Sequence, residues 1–284
     1  MIEAPPPEII RLLFLGDIVG EPGRTAVIDN LERIRTERHI DFIIVNGENT
    51  AGGRGITPKI AIALLRAGAA VITTGDHIWD QKEIIPFFET EPRLLRPMNY
   101  PPDTPGQGSV VLDATKARVA VLNAQGRTFM NPPLENPFLA VEAEVARLKA
   151  SDNPPQVIFL DFHGETTSEK ITMGRLMDGQ ISAMVGTHTH VQTADEQIFE
   201  NGTAFLCDGG MCGPVVSILG REPGPIIDRA RLSTPQRMPV AGGDVRLCGA
   251  VIDVDIATGK AAGIERYSEV VRIEEAGKIS GLEQ

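Results

Sequence analysis

RLLFLGDIVGEPGR (11–24) and DFIIVNGENTAGG (41–53) are the stretches whose reading decides the fold. Each opens with a nearly unbroken apolar run and turns polar at a glycine followed by an acid, Gly16-Asp17 and Gly47-Glu48. Runs this apolar are buried on both faces, as in a covered sheet. The strand candidates RLLFLG (11–16) and DFIIVNG (41–47) are joined by AAVITTG (69–75), RVAVLNA (118–124), QVIFLDF (156–162) and ISAMVGT (181–187). Between them, residues 25–38, 57–68 and 137–150 show helical spacing. In the second of these, Thr57 is placed to cap the helix, Pro58 to occupy its first position and Gly68 to end it.

After about residue 195 the pattern changes. EQIFENGTAFLCD (196–208) carries the Asn201-Gly202 turn signal of a β-hairpin, and 243–273 reads as two strands joined by a turn. The expected architecture is α/β, with sheet packed on sheet and helices outside. Residues 1–284 are expected to form one domain, with 1–9, containing Pro5 to Pro7, as an extended N-terminal arm.

Composition narrows the function. The chain is 42% hydrophobic and 23% charged, an ordinary globular balance, and its formal net charge is -11. A protein that tracks along DNA or RNA needs a basic surface, so no extended nucleic-acid interface is expected. A small phosphorylated substrate fits if bound cations supply the positive charge locally. Three cysteines give no disulfide framework, and reduced thiols in a cytoplasm are expected. The N-terminus lacks the basic and apolar regions of a signal peptide. No apolar run approaches the roughly 18 residues of a membrane span. A cytoplasmic protein follows, with homo-oligomers left open.

Histidine carries the chemistry. Of five histidines, His39 lies apart in a charged segment, where it ends a helix and suits the dipole. The other four, His77, His163, His188 and His190, all fall at strand ends. Asp17, Glu48, Asn49 and Asp76 follow strands in the same way. Strands lying side by side would bring these loops to one rim, where binding residues gather in open α/β sheets. Two cations about 3.5–4 Å apart need one bridging carboxylate and a few more oxygen or nitrogen ligands each, and generate a hydroxide for hydrolysis. The inventory suits that site.

The segments FLGDIVGEPGR, NGENTAGGRGIT, TTGDHIWD, NAQGRTFM, DFHGETTSEK, VGTHTHVQTADE and CDGGMCGP, in that order, resemble the calcineurin-like metallophosphoesterases, and more closely their YmdB-like branch of bacterial cyclic-nucleotide phosphodiesterases. The resemblance implies a four-layer α/β/β/α sandwich. It implies two divalent or trivalent metal ions, iron or manganese. Asp17, Glu48, Asn49 and His190 would hold one, and Glu48, Asp76, His163 and His188 the other, with Glu48 as the bridge. It further implies that a bridging hydroxide attacks the phosphorus of a 2′,3′-cyclic or related nucleotide while His77 protonates the leaving oxygen. A phosphomonoesterase or nucleotidase of the same superfamily is the alternative, and a non-catalytic metal-binding regulatory scaffold ranks below both. Two positions depart from the wider pattern. Asp17 is followed by Ile18 and Val19 where the superfamily has Asp-x-His, a loss the YmdB-like branch shares. Asp76 stands in a GDH triplet where GNH is usual, adding a negative charge that favours cations and disfavours an approaching phosphate.

Arg54, among the turn glycines Gly52, Gly53 and Gly55, and Arg127 are the candidate contacts to substrate phosphate; a solvated side chain is the alternative for each. Trp79, Phe87 and Phe88 read as core. Cys207 and Cys212 read as buried thiols. Asp161 and Glu165 read as partners of the imidazoles, which ligating histidines commonly need.

Overall fold

The computed structural model describes residues 8–272. Its strands are β1 (Ile9–Leu15), β2 (Asp17–Ile18), β3 (Phe42–Asn46), β4 (Val71–Thr73), β5 (Ser109–Asp113), β6 (Arg118–Gln125), β7 (Val157–His163), β8 (Ala183–Thr187), β9 (Gln197–Ile198), β10 (Ala204–Leu206), β11 (Met211–Pro214), β12 (Val245–Asp255) and β13 (Ala261–Val271). Its helices are α1 (Gly20–Arg38), α2 (Pro58–Arg66), α3 (Pro137–Lys149), α4 (Thr167–Leu176) and α5 (Pro223–Leu232).

Two sheets form. One runs β2-β11-β12-β1-β3-β4, with β13 also paired to β12; the other runs β5-β6-β7-β8-β10-β9. Within the first, β1, β3 and β4 are parallel, in register at Phe14 with Ile44 and Val45 with Ile72. Within the second, β6, β7, β8 and β10 are parallel.

Alternation along the strands explains the layers. Ile10, Leu12 and Phe14 of β1 pack with Val119, Val121, Val157 and Phe159 of the second sheet, so one core lies between the sheets. Leu13 and Leu15 point the other way, onto Val27 and Leu31 of α1 and Leu64 of α2. On the far side, Leu122, Ile158 and Leu160 meet Val141 and Val145 of α3 and Met173 of α4. The result is the α/β/β/α sandwich, with an apolar face on every layer boundary.

Helix boundaries follow the local chemistry. Thr57 accepts a bond from the Ile60 amide at 3.3 Å, with Pro58 at the first position of α2. The helix expected over 25–38 begins earlier, at Gly20. Gly20-Glu21-Pro22-Gly23 forms its first turn, where the N–H that proline lacks would have no partner within the helix. A Cβ at Gly23 would sit 2.2 Å from the Cys212 carbonyl, so the glycine there lets α1 close onto β11. His39 ends α1 in a left-handed conformation. The proposed arm over 1–9 falls mostly outside the described residues, and Ile9 already belongs to β1. Phe88 is buried, with Trp79 and Phe87 packed against the same core, and Cys207, Cys212 and Cys248 are buried and free. Among the described residues no helix is long and apolar enough to cross a membrane.

Candidate metal centre

Because β1, β3, β4, β7 and β8 point the same way, their C-terminal ends meet at one rim. Asp17 opens β2 directly after β1, Glu48 and Asn49 follow β3, and Asp76 and His77 follow β4. His163 is the last residue of β7 itself, and His188 and His190 follow β8 in a loop. Both loop histidines have positive φ, 99° and 64°, which breaks the strand's alternation and lets the two imidazoles face one centre.

Among the described residues, one group of chemically suitable side chains brings its ligand atoms within 4.8 Å of one another: Glu48, Asp76, His163 and His188. The His163 Nε2 lies 3.2 Å from Glu48 Oε2, 3.1 Å from Asp76 Oδ1 and 3.0 Å from His188 Nδ1. A second group adjoins it through Glu48. The Asn49 amide nitrogen lies 3.1 Å from Glu48 Oε1 and 3.3 Å from His190 Nε2. Asp17 accepts the His188 backbone N–H at 3.0 Å through Oδ2. A side chain could not replace the hydrogen of Gly75, since a Cβ there would lie 2.0 Å from Glu48 Oε2 and 2.3 Å from His163 Nε2.

The hydrogen bonds behind each imidazole decide which nitrogen faces the centre. Thr187 Oγ1 donates to Asp161 Oδ1 at 2.7 Å, so it accepts from His163 Nδ1 at 2.8 Å and leaves the His163 Nε2 lone pair free. His188 Nε2 lies 3.2 Å from the Glu165 carboxylate, leaving Nδ1 facing inward. His190 Nδ1 can only donate to the Leu219 carbonyl, 3.2 Å away, leaving Nε2. Lone pairs of His163 and His188 and the carboxylate oxygens of Glu48 and Asp76 therefore converge as acceptors, while the Asn49 amide donates to Glu48 Oε1 and faces His190 Nε2 beside them. Asp17 Oδ1 and Glu48 Oε2 are also buried without a hydrogen-bond partner. Such a donor set fits cations.

Electrostatics say the same. Burial opposes a charge on His163, but the surrounding carboxylates, Glu48 foremost, overcome it and raise its basicity well above the ordinary imidazole range. Burial would raise Glu48 and Asp76 as well, yet His163 holds both below the usual carboxylate range. Asp17 goes the other way: burial lifts it, and His190 and His163 offset this only in part. A proton on His163 and a cation at the centre satisfy the same oxygens, so they compete. Behind the site, burial pushes the Asp161 carboxyl up to about 6, against the bonds it accepts from Thr73, Thr187 and Asn46.

His77 stands at the edge. Its Nδ1 is 3.2 Å from Asp80 Oδ2, and its Nε2 lies 3.9 Å from Asp76 Oδ2. Arg54 reaches the same place but pairs with Asp80 at 2.9 Å. Both line a cavity of about 700 Å3 that opens over Glu48, Asn49, His188 and His190. Arg127 lies elsewhere, exposed, with its backbone N–H donated to Glu169. Sequence reasoning did not single out Asp80, Thr187, Arg221 or Asp208. Arg221 donates to the Gly52 and Gly53 carbonyls, and Gly53, at φ 88°, turns the loop toward it. Asp208 accepts from both the backbone and hydroxyl of Thr189, between the two loop histidines, and pairs with Lys170 at 2.6 Å.

The YmdB-like protein family matches residues 13–267, a span that holds all seven candidate ligands. The chain belongs to that family. It is 48% identical over 257 residues to the 2′,3′-cyclic-nucleotide 2′-phosphodiesterase of Bacillus subtilis, covering 90% of this chain and 96% of that one. A crystal structure of a novel phosphatase from Mycoplasma pneumoniae has a TM-score of 0.86 at 33% identity, covering 93% of this chain and 94% of that one. A hypothetical protein from Thermus thermophilus has a TM-score of 0.83 at 34% identity, covering 92% of this chain and 99% of that one. The YmdB-like match thus spans both sheets and every element that contributes to the centre.

Proposed function

We propose that the chain hydrolyses small cyclic nucleotides, 2′,3′-cyclic or related, at a dinuclear centre held by the seven side chains at the rim. Its family makes it a phosphoric ester hydrolase. The observation that carries the finer reading is the convergence of mutually repelling acceptors on one point at the floor of a nucleotide-sized cavity. Asp17, Glu48, Asn49 and His190 would hold one ion and Glu48, Asp76, His163 and His188 the other. Carboxylate, amide and imidazole donors suit manganese, iron, zinc or cobalt, and the family resemblance favours iron or manganese. When bound, such ions supply water activation and neutralisation of phosphate charge.

The protein's own groups do the rest. Asp80 accepts from His77 Nδ1, so the imidazole presents Nε2 to the cavity, where it protonates the departing ribose oxygen. Arg54, held through Nε by Asp80, lines the same cavity and would offer its remaining N–H groups to the phosphate. The reading is tested by hydrolysis of 2′,3′-cAMP, 3′,5′-cAMP and AMP by protein loaded with manganese or iron. Turnover of the cyclic substrates above AMP supports it, and AMP alone as substrate makes the chain a nucleotidase. His77→Ala should lower turnover about 100-fold or more with metal content unchanged.

A further inference from the structure

The cavity over the metal centre has two unlike walls. One carries Arg54, His77 and Glu165; the other carries Val19, Ile218, Leu219, Ile226 and Met238, with Arg221 also lining the cavity. The apolar wall is built by the turn at 218–221 and the start of α5, and Leu219 holds a positive φ of 51° there. Its carbonyl accepts a hydrogen bond from His190 Nδ1, so the same residue fixes a candidate metal ligand and joins that wall.

The wall's backbone has little left to offer a ligand. Ile218 and Arg221 exchange backbone bonds in both directions. The Gly220 amide donates to the Ser217 hydroxyl, and the Gly220 carbonyl accepts from Ala241. With Leu219's carbonyl also committed, and the Arg221 guanidinium donating to the carbonyls of Gly52, Gly53 and Met238, the side chains that Val19, Ile218, Leu219, Ile226 and Met238 present are hydrocarbon and thioether. Among the described residues, no phenylalanine, tyrosine or tryptophan lines the cavity either.

We propose that this wall is the nucleobase subsite of the reaction proposed above, on which the inference rests, and that it selects for the presence of a base and not for its identity. A phosphate at the candidate metal centre and a base on the apolar side chains fit one cavity of about 700 Å3, within the size range of ligand pockets. An aliphatic shelf takes either face of any base, and purines cover more of it than pyrimidines. Reading one base against another takes hydrogen-bonding groups left unpaired by the wrong partner; the apolar side chains here supply none, and Arg221 beside them donates to backbone carbonyls.

The test is calorimetric titration of the manganese-loaded protein with the four nucleoside 3′-monophosphates and with ribose 3-phosphate. It reads the base's contribution apart from turnover, so a catalytically inactive preparation still decides it. Wild type should bind the nucleotides about 10-fold or more tighter than ribose 3-phosphate, with the four bases within about 10-fold of one another. Ile226→Ala combined with Met238→Ala should erase the advantage of the nucleotides and leave ribose 3-phosphate binding unchanged. Both side chains are partly exposed, so the fold should tolerate their truncation. Equal affinity of wild type for nucleotide and sugar phosphate overturns the proposal. So does a discrimination of about 100-fold between bases, or an equal loss for all ligands in the double variant.

Discussion

Thr187→Val tests the arrangement behind His163 with the least change of shape. Thr187 is fully buried, and its hydroxyl both accepts from His163 Nδ1 and donates to Asp161 Oδ1. Valine keeps the volume and removes the hydroxyl. It leaves a buried imidazole N–H unpaired, costing about 1–3 kcal/mol, and strips a bond from a buried carboxylate, costing about 1.5–3 kcal/mol. A loss of about 3–5 kcal/mol is expected, a large share of the roughly 5–15 kcal/mol of a typical domain. The deficit should depend on pH. Burial raises the folded Asp161 pKa to about 6 from 3.8, so its contribution is fully present below the unfolded value and is lost as pH rises through about 6. Losing a bond to its charged form raises that pKa further, so the variant should fall further behind wild type at pH 8 than at pH 5. Urea unfolding read by Trp79 fluorescence measures this, and chelator competition should show manganese bound about 10–100-fold more weakly. Thr187→Ser, which keeps the hydroxyl, should recover most of both losses. An unchanged urea midpoint at pH 8 together with wild-type manganese affinity in Thr187→Val would refute the relay from Asp161 to His163.

Lys170→Met should strand the Asp208 carboxylate, whose ion pair is almost fully buried, and cost about 3–5 kcal/mol of stability in thermal or urea unfolding. Wild-type stability in that variant would mean that Thr189 and Gly210 alone satisfy Asp208. Asp80→Asn should lower kcat by about 10–100-fold with metal content unchanged, because it disturbs the tautomer of His77 and touches no candidate ligand; steady-state kinetics beside elemental analysis checks this. Metal affinity should fall as pH falls, since the raised basicity of His163 makes protons compete with cations. Calorimetry at pH 6 and pH 8 with equal manganese affinity would contradict this.

Much of the centre was legible before the fold. The apolar runs that became β1, β3, β6, β7 and β8 are buried on both faces, so the hydrophobic effect leaves their signature uninterrupted by polar alternation. The candidate ligands stood out because histidine is rare here and four of five fell at strand ends. α4 was not legible. It buries Glu169 and Lys170, each satisfied by a distant partner, so its apolar period is broken by charges. β2, β5 and β11 are short or half-exposed, with no strong pattern of their own.

Composition and spacing by themselves determined the covered strands, the crossover helices and the set of candidate cation ligands, because burial and side-chain chemistry are local properties of a segment. Which imidazole nitrogen faces inward, that Asp80 claims both His77 and Arg54, that Arg127 lies away from the cavity, and that Leu219 joins its wall were decided only by tertiary structure. Those facts depend on hydrogen bonds between residues far apart in the chain, whose directions come into being only when the sheets pack.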